Sequence, residues 1–304
     1  MADIISKPDF IVKGDQIAII STARKILIEE IENAVTLLEN WGLQPIIGTT
    51  IGLENNQFAG TDDERIIDFQ QMLDNQQIKA IWCARGGYGT VRIIDQIDFS
   101  DFIQHPKWII GYSDITVLHA HIHNLGISTI HGAMPVNIHQ SSTEAIDSLK
   151  DTLFGRRIVY TIPTSDMNRL GNCTGKLVGG NLSILYSICG SVSSLDTRGK
   201  ILCIEDLDEY IYHIDRMIQN LKRNGYFDQL SGLIVGGMTN MHDNTVPFGK
   251  NAREIIIDSV KEYDFPVVFD FPLGHISDNR AVVLGAEVSL EVTKNNVKLD
   301  YVVP

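Results

Sequence analysis

The stretch Trp108-Ile-Ile-Gly-Tyr-Ser-Asp-Ile-Thr116 decides how the rest of the chain is interpreted. An apolar run ends in Gly111-Tyr-Ser-Asp114, and apolar residues then recur at helical spacing, which predicts a strand, a sharp turn and a helix. This arrangement raises the hydroxyl group of Ser113 above the sheet edge and places the backbone N–H groups of a helix N-terminus beside it. Both features suit a serine nucleophile, which also needs a base and an orienting group from elsewhere in the chain.

The N-terminal half of the chain alternates between strand and helix patterns. Its predicted elements are a strand within 13–22, a helix over 26–41, a strand over 43–47, a helix that starts with a capping box at Thr61, a strand over 78–83, a helix over 91–97, and strands over 108–112 and 127–130. Continuous apolar strands are typical of parallel sheets that helices cover on both faces. We therefore predict a doubly wound parallel α/β domain, of the flavodoxin or class I glutamine amidotransferase type, whose ligands gather at the carboxyl ends of its strands.

The sequence pattern changes after about Gln140. Polar and weakly periodic residues continue to about Asn172, and Pro163 and Gly171 interrupt them, so we place a linker over 141–172. Further on, the predicted elements are a small-residue helix after 176–183, strands over 201–205, 230–238 and 267–271, helices over 210–224 and 252–260, and short alternating strands over 281–284 and 287–292. We therefore predict an N-terminal nucleophile domain (1–140) and a smaller, mixed α/β C-terminal domain (173–304) with antiparallel strands.

Composition argues against several classes of function. With 304 residues, of which 44% are hydrophobic and 21% charged, the chain is long enough for two cores. Its formal net charge of −13 argues against nucleic-acid binding, which requires basic faces. Four scattered cysteines without CxxC spacing indicate free thiols in a reducing compartment, and we see neither a signal-peptide pattern nor a membrane-spanning run. We expect a cytoplasmic protein that binds neither nucleic acid nor membranes.

Two residues at predicted strand ends could assist Ser113. Glu205 ends an apolar strand, and His275 follows a strand and a glycine turn in Pro272-Leu-Gly-His275. The chain order Ser, Glu, His matches one known triad order, but a triad is defined by geometry rather than by order. Simpler interpretations stay open at this point: Ser113 caps a helix, Glu205 is solvated or forms a salt bridge, and His275 is a surface group.

Several short motifs are specific for one family when their order and spacing are taken together. They are Lys13-Gly-Asp-Gln-Ile-Ala-Ile-Ile-Ser21, Ala84-Arg-Gly-Gly-Tyr-Gly89, Gly111-Tyr-Ser-Asp-Ile-Thr116, His131-Gly132, Gly179-Gly-Asn-Leu182, Ile204-Glu-Asp206 with Ile214-Asp-Arg216, and Leu273-Gly-His275. Over nearly its full length the chain resembles the LD-carboxypeptidase family, serine peptidases of the muramoyl-tetrapeptide carboxypeptidase type. One motif departs from the family pattern, because His131-Gly-Ala-Met-Pro135 stands where His-Gly-Pro-Met is common.

The resemblance implies a catalytic triad. In this family the serine of Gly-Tyr-Ser-Asp is the nucleophile, the first acid of the Glu-Asp pair orients the histidine, and the histidine of Gly-His is the base. These roles fall on Ser113, Glu205 and His275. Glu209 is a rival orienting group; we prefer Glu205 because it fits the motif and lies at the strand end.

An oxyanion that develops during the reaction needs preorganised N–H donors. The amide of Asp114 follows the nucleophile directly, and the turn at Gly86-Gly87 lets the backbone approach a substrate. We predict that Asp114 and Gly87 supply the two donors, with Gly87 preferred to Gly86, as the resemblance also implies. A plain strand-to-helix turn would explain the same glycines.

Arg85, Gly86 and Asn181 are candidates for substrate binding. A guanidinium group such as that of Arg85 can bind a terminal carboxylate bidentately, and a structural ion pair would use it equally well. Asn181 either hydrogen-bonds substrate or caps the following helix, and the cap is slightly favoured.

His119, His121 and His123 raise the question of a metal site. His119 and His123 share a predicted helix face, but no acid completes an H-E-x-x-H pattern, so we predict no metal. We expect His119 to pack behind the nucleophile and the other two histidines to lie on the surface. Cys83 lies within an apolar strand and is expected to be an inert buried thiol.

The resemblance also implies the reaction: hydrolysis of the bond between an L-centre and the terminal D-alanine of a murein tetrapeptide, during cytoplasmic peptidoglycan recycling. It implies no cofactor, and it implies a homodimer. The alternatives are a microcin-immunity-type amide hydrolase and a non-catalytic protein that binds a peptide or sugar. The compact, tryptophan-free segment Thr161–Cys173 argues against the first alternative, and the presence of all three triad residues argues against the second.

Overall fold

Two sheets and the helices that cover them account for most of residues 6–302, the range that the computed structural model describes. The strands are β1 (Gln16–Ile20), β2 (Gln44–Ile47), β3 (Ile78–Cys83), β4 (Trp108–Gly111), β5 (Thr129–His131), β6 (Val159–Pro163), β7 (Gly171–Asn181), β8 (Ile201–Leu207), β9 (Gly232–Thr239), β10 (Val267–Val268), β11 (Val282–Leu284), β12 (Glu287–Val292) and β13 (Asn296–Tyr301). The α-helices are α1 (Glu32–Asn40), α2 (Asp62–Asp74), α3 (Ser100–Gln104), α4 (Thr116–Asn124), α5 (Thr143–Leu153), α6 (Leu182–Ser187), α7 (Ile211–Arg223) and α8 (Ala252–Ser259).

The first sheet has six strands in the order β11-β5-β4-β3-β1-β2. Strands β1 to β5 are parallel, and β11 runs antiparallel beside β5. Side chains alternate between the two faces of a strand. In β1, Ile17 and Ile19 pack into the core that contains α1 and α5, whereas Ala18 and Ile20 pack into the core that contains α2 and α4. The sheet is therefore doubly wound, as predicted.

The second sheet has seven strands in the order β10-β9-β8-β7-β12-β13-β6. The long strand β7 pairs with two strands. Its first part is antiparallel to β12, and its last part is parallel to β8. Helices α6, α7 and α8 contribute Leu185, Ile214 and Ile256 to the core on one face. The antiparallel strands β6, β12 and β13 complete the mixed α/β domain that the sequence predicts.

Helix α4 joins the two domains. It follows the Ser113 turn and packs against β7 and α6 of the second domain. Leu118 of α4, Val178 of β7 and Leu185 of α6 belong to one continuous apolar cluster. Because the two sheets share this core, close packing fixes their relative position next to the Ser113 turn.

The prediction of a linker over 141–172 requires correction. Helix α5 occupies part of it, with Ser142 as its N-cap, and its buried residues Leu149 and Leu153 pack beneath the first sheet. Strand β6 occupies another part and forms the edge of the second sheet. Both elements are apolar on one side only, so their sequence looks polar although each contributes to a core.

Two further elements differ from prediction. Strand β11, placed in the C-terminal domain from its sequence, returns to the first sheet and pairs with β5. The segment 91–97 forms two short 3₁₀ turns, Thr90–Arg92 and Ile94–Gln96, instead of an α-helix. The backbone N–H of Thr90 donates to the Asp114 side chain, so a tertiary contact holds the start of this segment.

Candidate active site

Ser113 lies on a sharp turn between β4 and α4. Strand β4 ends at Gly111, and Tyr112 is still extended. Ser113 then adopts a φ of +64°, in the left-handed region that few residues other than glycine occupy. A 3₁₀ turn over Ser113–Ile115 leads directly into α4. A strained serine at the carboxyl end of a parallel strand is the geometry that exposes a nucleophile.

The hydroxyl group of Ser113 contacts His275, which in turn contacts Glu205. The distance between Ser113 Oγ and His275 Nε2 is 3.1 Å, and the distance between His275 Nδ1 and Glu205 Oε2 is 2.6 Å. An ionised carboxylate only accepts hydrogen bonds, so Nδ1 donates to Glu205 and Nε2 is left to accept from the serine hydroxyl. The three side chains form the hydrogen-bonded series that a nucleophile, a base and an orienting group require.

Glu205 is completely buried at the carboxyl end of β8. Its Oε2 also accepts a hydrogen bond from the backbone N–H of His275 at 3.2 Å, so one oxygen fixes both the ring and the main chain. Among residues 6–302, Oε1 has no hydrogen-bond partner. Burial of an incompletely bonded carboxylate is costly, and such groups are expected where they have a functional role.

Gly274 makes the contact between Glu205 and His275 possible. Its φ is +99°, and a Cβ atom at this position would overlap the Glu205 side chain. Its backbone N–H donates to Asn279 Oδ1 at 2.8 Å, which anchors the turn. On the other side, the ring of Tyr112 packs against His275 with their centroids 4.7 Å apart. The imidazole is thus held by contacts from both domains.

The pKa of His275 is raised above its ordinary value of 6.5. Burial lowers this pKa. The charge of Glu205 and its hydrogen bond to Nδ1 raise the pKa, and with the charge of Asp206 they outweigh the effect of burial. Glu205 therefore stabilises the imidazolium form, which is the form that a general base takes after it removes the proton of a serine.

The glycine turn after β3 lies against Ser113. A Cβ atom at Gly86 would stand 3.0 Å from Ser113 Cβ and 3.4 Å from the backbone nitrogen of Asp114. Gly87 has a φ of +108°, and a Cβ atom there would overlap the side chain of Arg24. The missing side chain of Gly86 therefore keeps open the space beside Ser113 and the Asp114 amide, as an oxyanion pocket requires, whereas the space at Gly87 is occupied by Arg24. The choice of Asp114 and Gly87 as donors stays a prediction.

Buried polar contacts connect the glycine turn to the Ser113 turn. Asp114 is buried, and its Oδ2 accepts from the backbone N–H of Thr90 at 2.9 Å. The hydroxyl groups of Thr90 and Thr22 hydrogen-bond at 2.8 Å. The buried guanidinium group of Arg65 donates to the carbonyl groups of Thr22 and Gly89. No sequence signal singled out Arg65, because an arginine on a helix is ordinarily exposed.

Asn181 caps α6, the outcome that sequence reasoning slightly favoured. Its Oδ1 accepts from the backbone N–H of Ile184 at 3.2 Å, and its Nδ2 donates to Asp206 Oδ1 at 3.0 Å. Its own backbone N–H donates to Thr116 Oγ1 at 2.9 Å. A Cβ atom at Gly180 would overlap the same threonine. The Gly-Gly-Asn motif thus brings β7 onto the first turn of α4, directly behind Ser113.

Arg85 and Glu209 form ion pairs with residues other than Ser113, His275 and Glu205. An Arg85 guanidinium nitrogen lies 3.6 Å from Glu30 Oε1, and the two side chains are 31% and 39% exposed. Glu209 Oε2 lies 2.6 Å from His213 Nδ1. The structure therefore pairs His275 with Glu205 rather than with Glu209.

The three histidines of α4 do not converge. His119 is buried behind β4, where its Nε2 donates to the Gly111 carbonyl at 2.9 Å and burial lowers its pKa to about 4. His121 is partly exposed, and His123 is buried, contrary to the predicted surface position. In the described part of the chain, no group of three His, Cys, Asp or Glu side chains is placed to hold a metal ion. Cys83 is fully buried, and burial raises the pKa of its thiol to about 12.

Comparison with known proteins identifies the family. Residues 17–132 match the LD-carboxypeptidase N-terminal domain, and residues 174–290 match the LD-carboxypeptidase C-terminal domain. The chain belongs to the LD-carboxypeptidase family. This finding confirms the predicted family, and with it the prediction that the chain is a serine-type carboxypeptidase.

Relatives of known name cover nearly the whole chain. It is 36% identical to a probable murein peptide carboxypeptidase of Bacillus subtilis (97% of this chain, 94% of the relative). It is 28% identical to the murein tetrapeptide carboxypeptidase of Pseudomonas aeruginosa (91% and 93%). It is 26% identical to the microcin C7 self-immunity protein MccF of Escherichia coli (87% and 86%).

A solved structure shares the fold of this LD-carboxypeptidase family member. The muramoyltetrapeptide carboxypeptidase from Oxalobacter formigenes superposes with a TM-score of 0.86 at 24% identity, over 94% of this chain and 98% of that one. The likeness confirms the predicted α/β fold class. No helix within residues 6–302 has the length and apolar character that a membrane span requires.

Proposed function

We propose that this protein is a serine LD-carboxypeptidase that removes the terminal D-alanine from murein tetrapeptides. The observation that carries the proposal is the hydrogen-bonded series from Ser113 through His275 to Glu205, beside an open glycine turn. The names of the relatives from Bacillus subtilis and Pseudomonas aeruginosa support murein peptides as the substrate class. The bond cleaved joins the L-centre of meso-diaminopimelate or lysine to D-alanine.

Acylation begins when Ser113 Oγ attacks the carbonyl carbon of this bond. His275 Nε2 accepts the hydroxyl proton, and the imidazolium that results is stabilised by Glu205 at Nδ1. The negative charge that develops on the carbonyl oxygen is stabilised by backbone N–H groups, which we assign to Asp114 and Gly87. His275 then gives the proton to the nitrogen of the departing D-alanine, and an ester with Ser113 remains.

Deacylation repeats these steps with water. His275 removes a proton from the water as it attacks the ester carbonyl, and it returns that proton to Ser113 Oγ when the ester bond breaks. Glu205 keeps the imidazole in one orientation through both halves of the cycle, because its Oε2 accepts from both the ring and the main chain. The reaction as proposed uses neither a metal ion nor an organic cofactor.

A microcin-type amide hydrolase is the second candidate, because the chain is similar to the self-immunity protein over most of its length. The segment before the Gly-Gly-Asn motif favours the murein substrate. Strand β6 ends at Pro163 and β7 begins at Gly171, so only a short loop joins them, and it contains no tryptophan. A cytoplasmic role in peptidoglycan recycling and a homodimeric state remain predictions from the resemblance.

A side-by-side assay tests the proposal. Purified protein is incubated with a murein tetrapeptide and, separately, with a microcin-type peptide–nucleotide amide, and the products are identified by mass spectrometry. We expect loss of D-alanine from the tetrapeptide and little cleavage of the amide. The reverse preference would replace the proposed function by the second candidate, and the absence of both reactions would favour a non-catalytic binding protein.

A further inference from the structure

A carboxypeptidase must recognise the free carboxylate that lies one residue beyond the bond it cleaves. Arginine is the side chain best suited to this task, because its planar guanidinium group can bind a carboxylate with two parallel hydrogen bonds. Arg85, for which the sequence left carboxylate binding and a structural ion pair equally open, forms an ion pair with Glu30. A second arginine, Arg24, reaches the same glycine turn from the loop after β1.

The backbone of Arg24 is firmly held. Its carbonyl group accepts a hydrogen bond from Ser21 Oγ at 2.7 Å, and it forms an isolated antiparallel bridge with Phe58. The next residue, Lys25, donates its backbone N–H to the Gln57 carbonyl at 2.9 Å. The side chain of Arg24 therefore starts from a fixed point at the carboxyl end of the first sheet, the edge at which ligands of such sheets bind.

The side chain of Arg24 lies along the Gly86-Gly87 turn, to which we assign one oxyanion donor. Its Cγ and Cδ atoms occupy the space that a Cβ atom at Gly87 would need. At the preceding residue, Gly86, a Cβ atom would instead contact Ser113 and the backbone nitrogen of Asp114. The contacts with Ser113 and with Arg24 are therefore made by two consecutive residues of one turn.

The guanidinium group of Arg24 has no ion pair or hydrogen bond within residues 6–302, and the side chain is exposed. The nearby cations differ in this respect, because Lys25 pairs with Glu54, Arg65 with Asp62 and Arg85 with Glu30. The aliphatic part of the Arg24 side chain is packed, while its guanidinium group has no anionic partner in the described residues. The guanidinium group is therefore available to an anionic ligand.

We propose that Arg24 binds the terminal carboxylate of the substrate and so restricts the enzyme to removal of one C-terminal residue. This inference rests on the proposed carboxypeptidase function. The guanidinium group acts on binding and orientation, holding the D-alanine residue so that the scissile carbonyl carbon faces Ser113 Oγ. It takes no part in proton transfer.

The test compares two substrates that differ only at the carboxylate. Release of D-alanine from a murein tetrapeptide is measured beside release of D-alaninamide from the same peptide with an amidated C-terminus. The variant is Arg24→Met, which keeps an unbranched stem on Gly87 and removes the charge. Arg24→Lys retains the charge, and Arg85→Met is the matched control at the same turn.

We expect Arg24→Met to lower kcat/KM for the free acid by about 10- to 100-fold, the loss typical of a charge-assisted contact, and to change kcat/KM for the amide little. The preference for acid over amide then disappears, Arg24→Lys restores part of it, and Arg85→Met keeps it. An equal loss on both substrates, or loss of the preference in Arg85→Met alone, would overturn the assignment. A parent enzyme that releases no D-alanine from the acid would overturn the proposed function itself.

Discussion

The site has two sides that are constructed in different ways. The proposed nucleophile side contains Ser113 and the Gly86-Gly87 turn, and the proposed base side contains Glu205 and His275. Ser113 and Asp114 are consecutive residues on one turn, and the Gly86-Gly87 turn follows the adjacent parallel strand of the same sheet. Glu205 and His275 lie 70 residues apart, on a strand and a loop of the second domain, and meet through one carboxylate oxygen. The first side depends on backbone geometry, and the second depends on single side chains and close packing.

This difference predicts how each side responds to substitution. Backbone N–H donors remain when a neighbouring side chain is changed. A histidine without its orienting carboxylate, in contrast, is no longer held in the correct tautomer and orientation. The four substitutions that follow test this contrast, in order of decreasing expected effect.

Ser113→Ala removes the proposed nucleophile and leaves the proposed backbone donors in place. We expect kcat for D-alanine release to fall by about 10⁴-fold or more, as in other serine hydrolases, with stability nearly unchanged. Ser187→Ala, at an exposed serine of α6, is the control and should retain full activity. A parent-like rate in Ser113→Ala would exclude the serine mechanism.

Glu205→Gln keeps the shape of the orienting residue and removes its charge. We expect kcat to fall by about 10³- to 10⁴-fold, because the amide neither fixes the correct tautomer nor stabilises the imidazolium.

The same variant should shift the pH profile. Only neutral His275 accepts the serine proton, and its pKa is raised, so the acidic limb of kcat/KM in the parent enzyme should lie above pH 6.5. In Glu205→Gln the carboxylate no longer raises the pKa while burial still lowers it, and the limb should move to lower pH. A limb that stays in place would show that Glu205 does not set the basicity of His275.

Gly274→Ala tests the close packing on the base side. The added Cβ overlaps the Glu205 side chain, and a displacement of His275 by about 1 Å should cost about 100-fold in kcat. Gly190→Ala is matched, because Gly190 also has a positive φ (+80°) but nothing lies within 4 Å of its Cβ position. It should cost about 1 kcal/mol of stability and leave kcat unchanged. Equal kinetic losses in both variants would mean that backbone strain, not the contact with Glu205, matters.

Asn181→Ala tests the cap of α6 and has the smallest expected effect. Loss of a cap costs about 1 kcal/mol in the free energy of unfolding, loss of the buried hydrogen bond to Asp206 adds about 1 to 3 kcal/mol, and we expect KM to stay unchanged. Asn251→Ala removes the comparable cap of α8, where Asn251 Oδ1 accepts from Glu254 N–H at 3.0 Å. Both variants are followed by thermal unfolding and by steady-state kinetics. A rise in KM in Asn181→Ala alone would show that this side chain also contacts the substrate.

Several features could be predicted from the sequence because they depend on neighbouring residues. The apolar runs of β1, β3 and β4 predicted a parallel sheet, and Gly-Tyr-Ser-Asp predicted a sharp turn at Ser113, which the structure has. Helix α5 and strand β6 were missed because each buries only one side, so few apolar residues mark them. Strand β11 was assigned to the wrong sheet because three residues carry no information about which edge they will join.

The sequence by itself determined the two-domain α/β fold class, the family and the three residues that form the hydrogen-bonded series. Tertiary structure alone decided their geometry, because packing of Gly274 on Glu205 and of Gly180 on Thr116 depends on residues far apart in the chain. Tertiary structure also showed which of two arginines has a free guanidinium group in the described residues, which the sequence could not show. Arg85 lies within a recognisable motif but is paired with Glu30, whereas Arg24 belongs to no such motif, packs on the Gly86-Gly87 turn and has no ion-pair partner within residues 6–302.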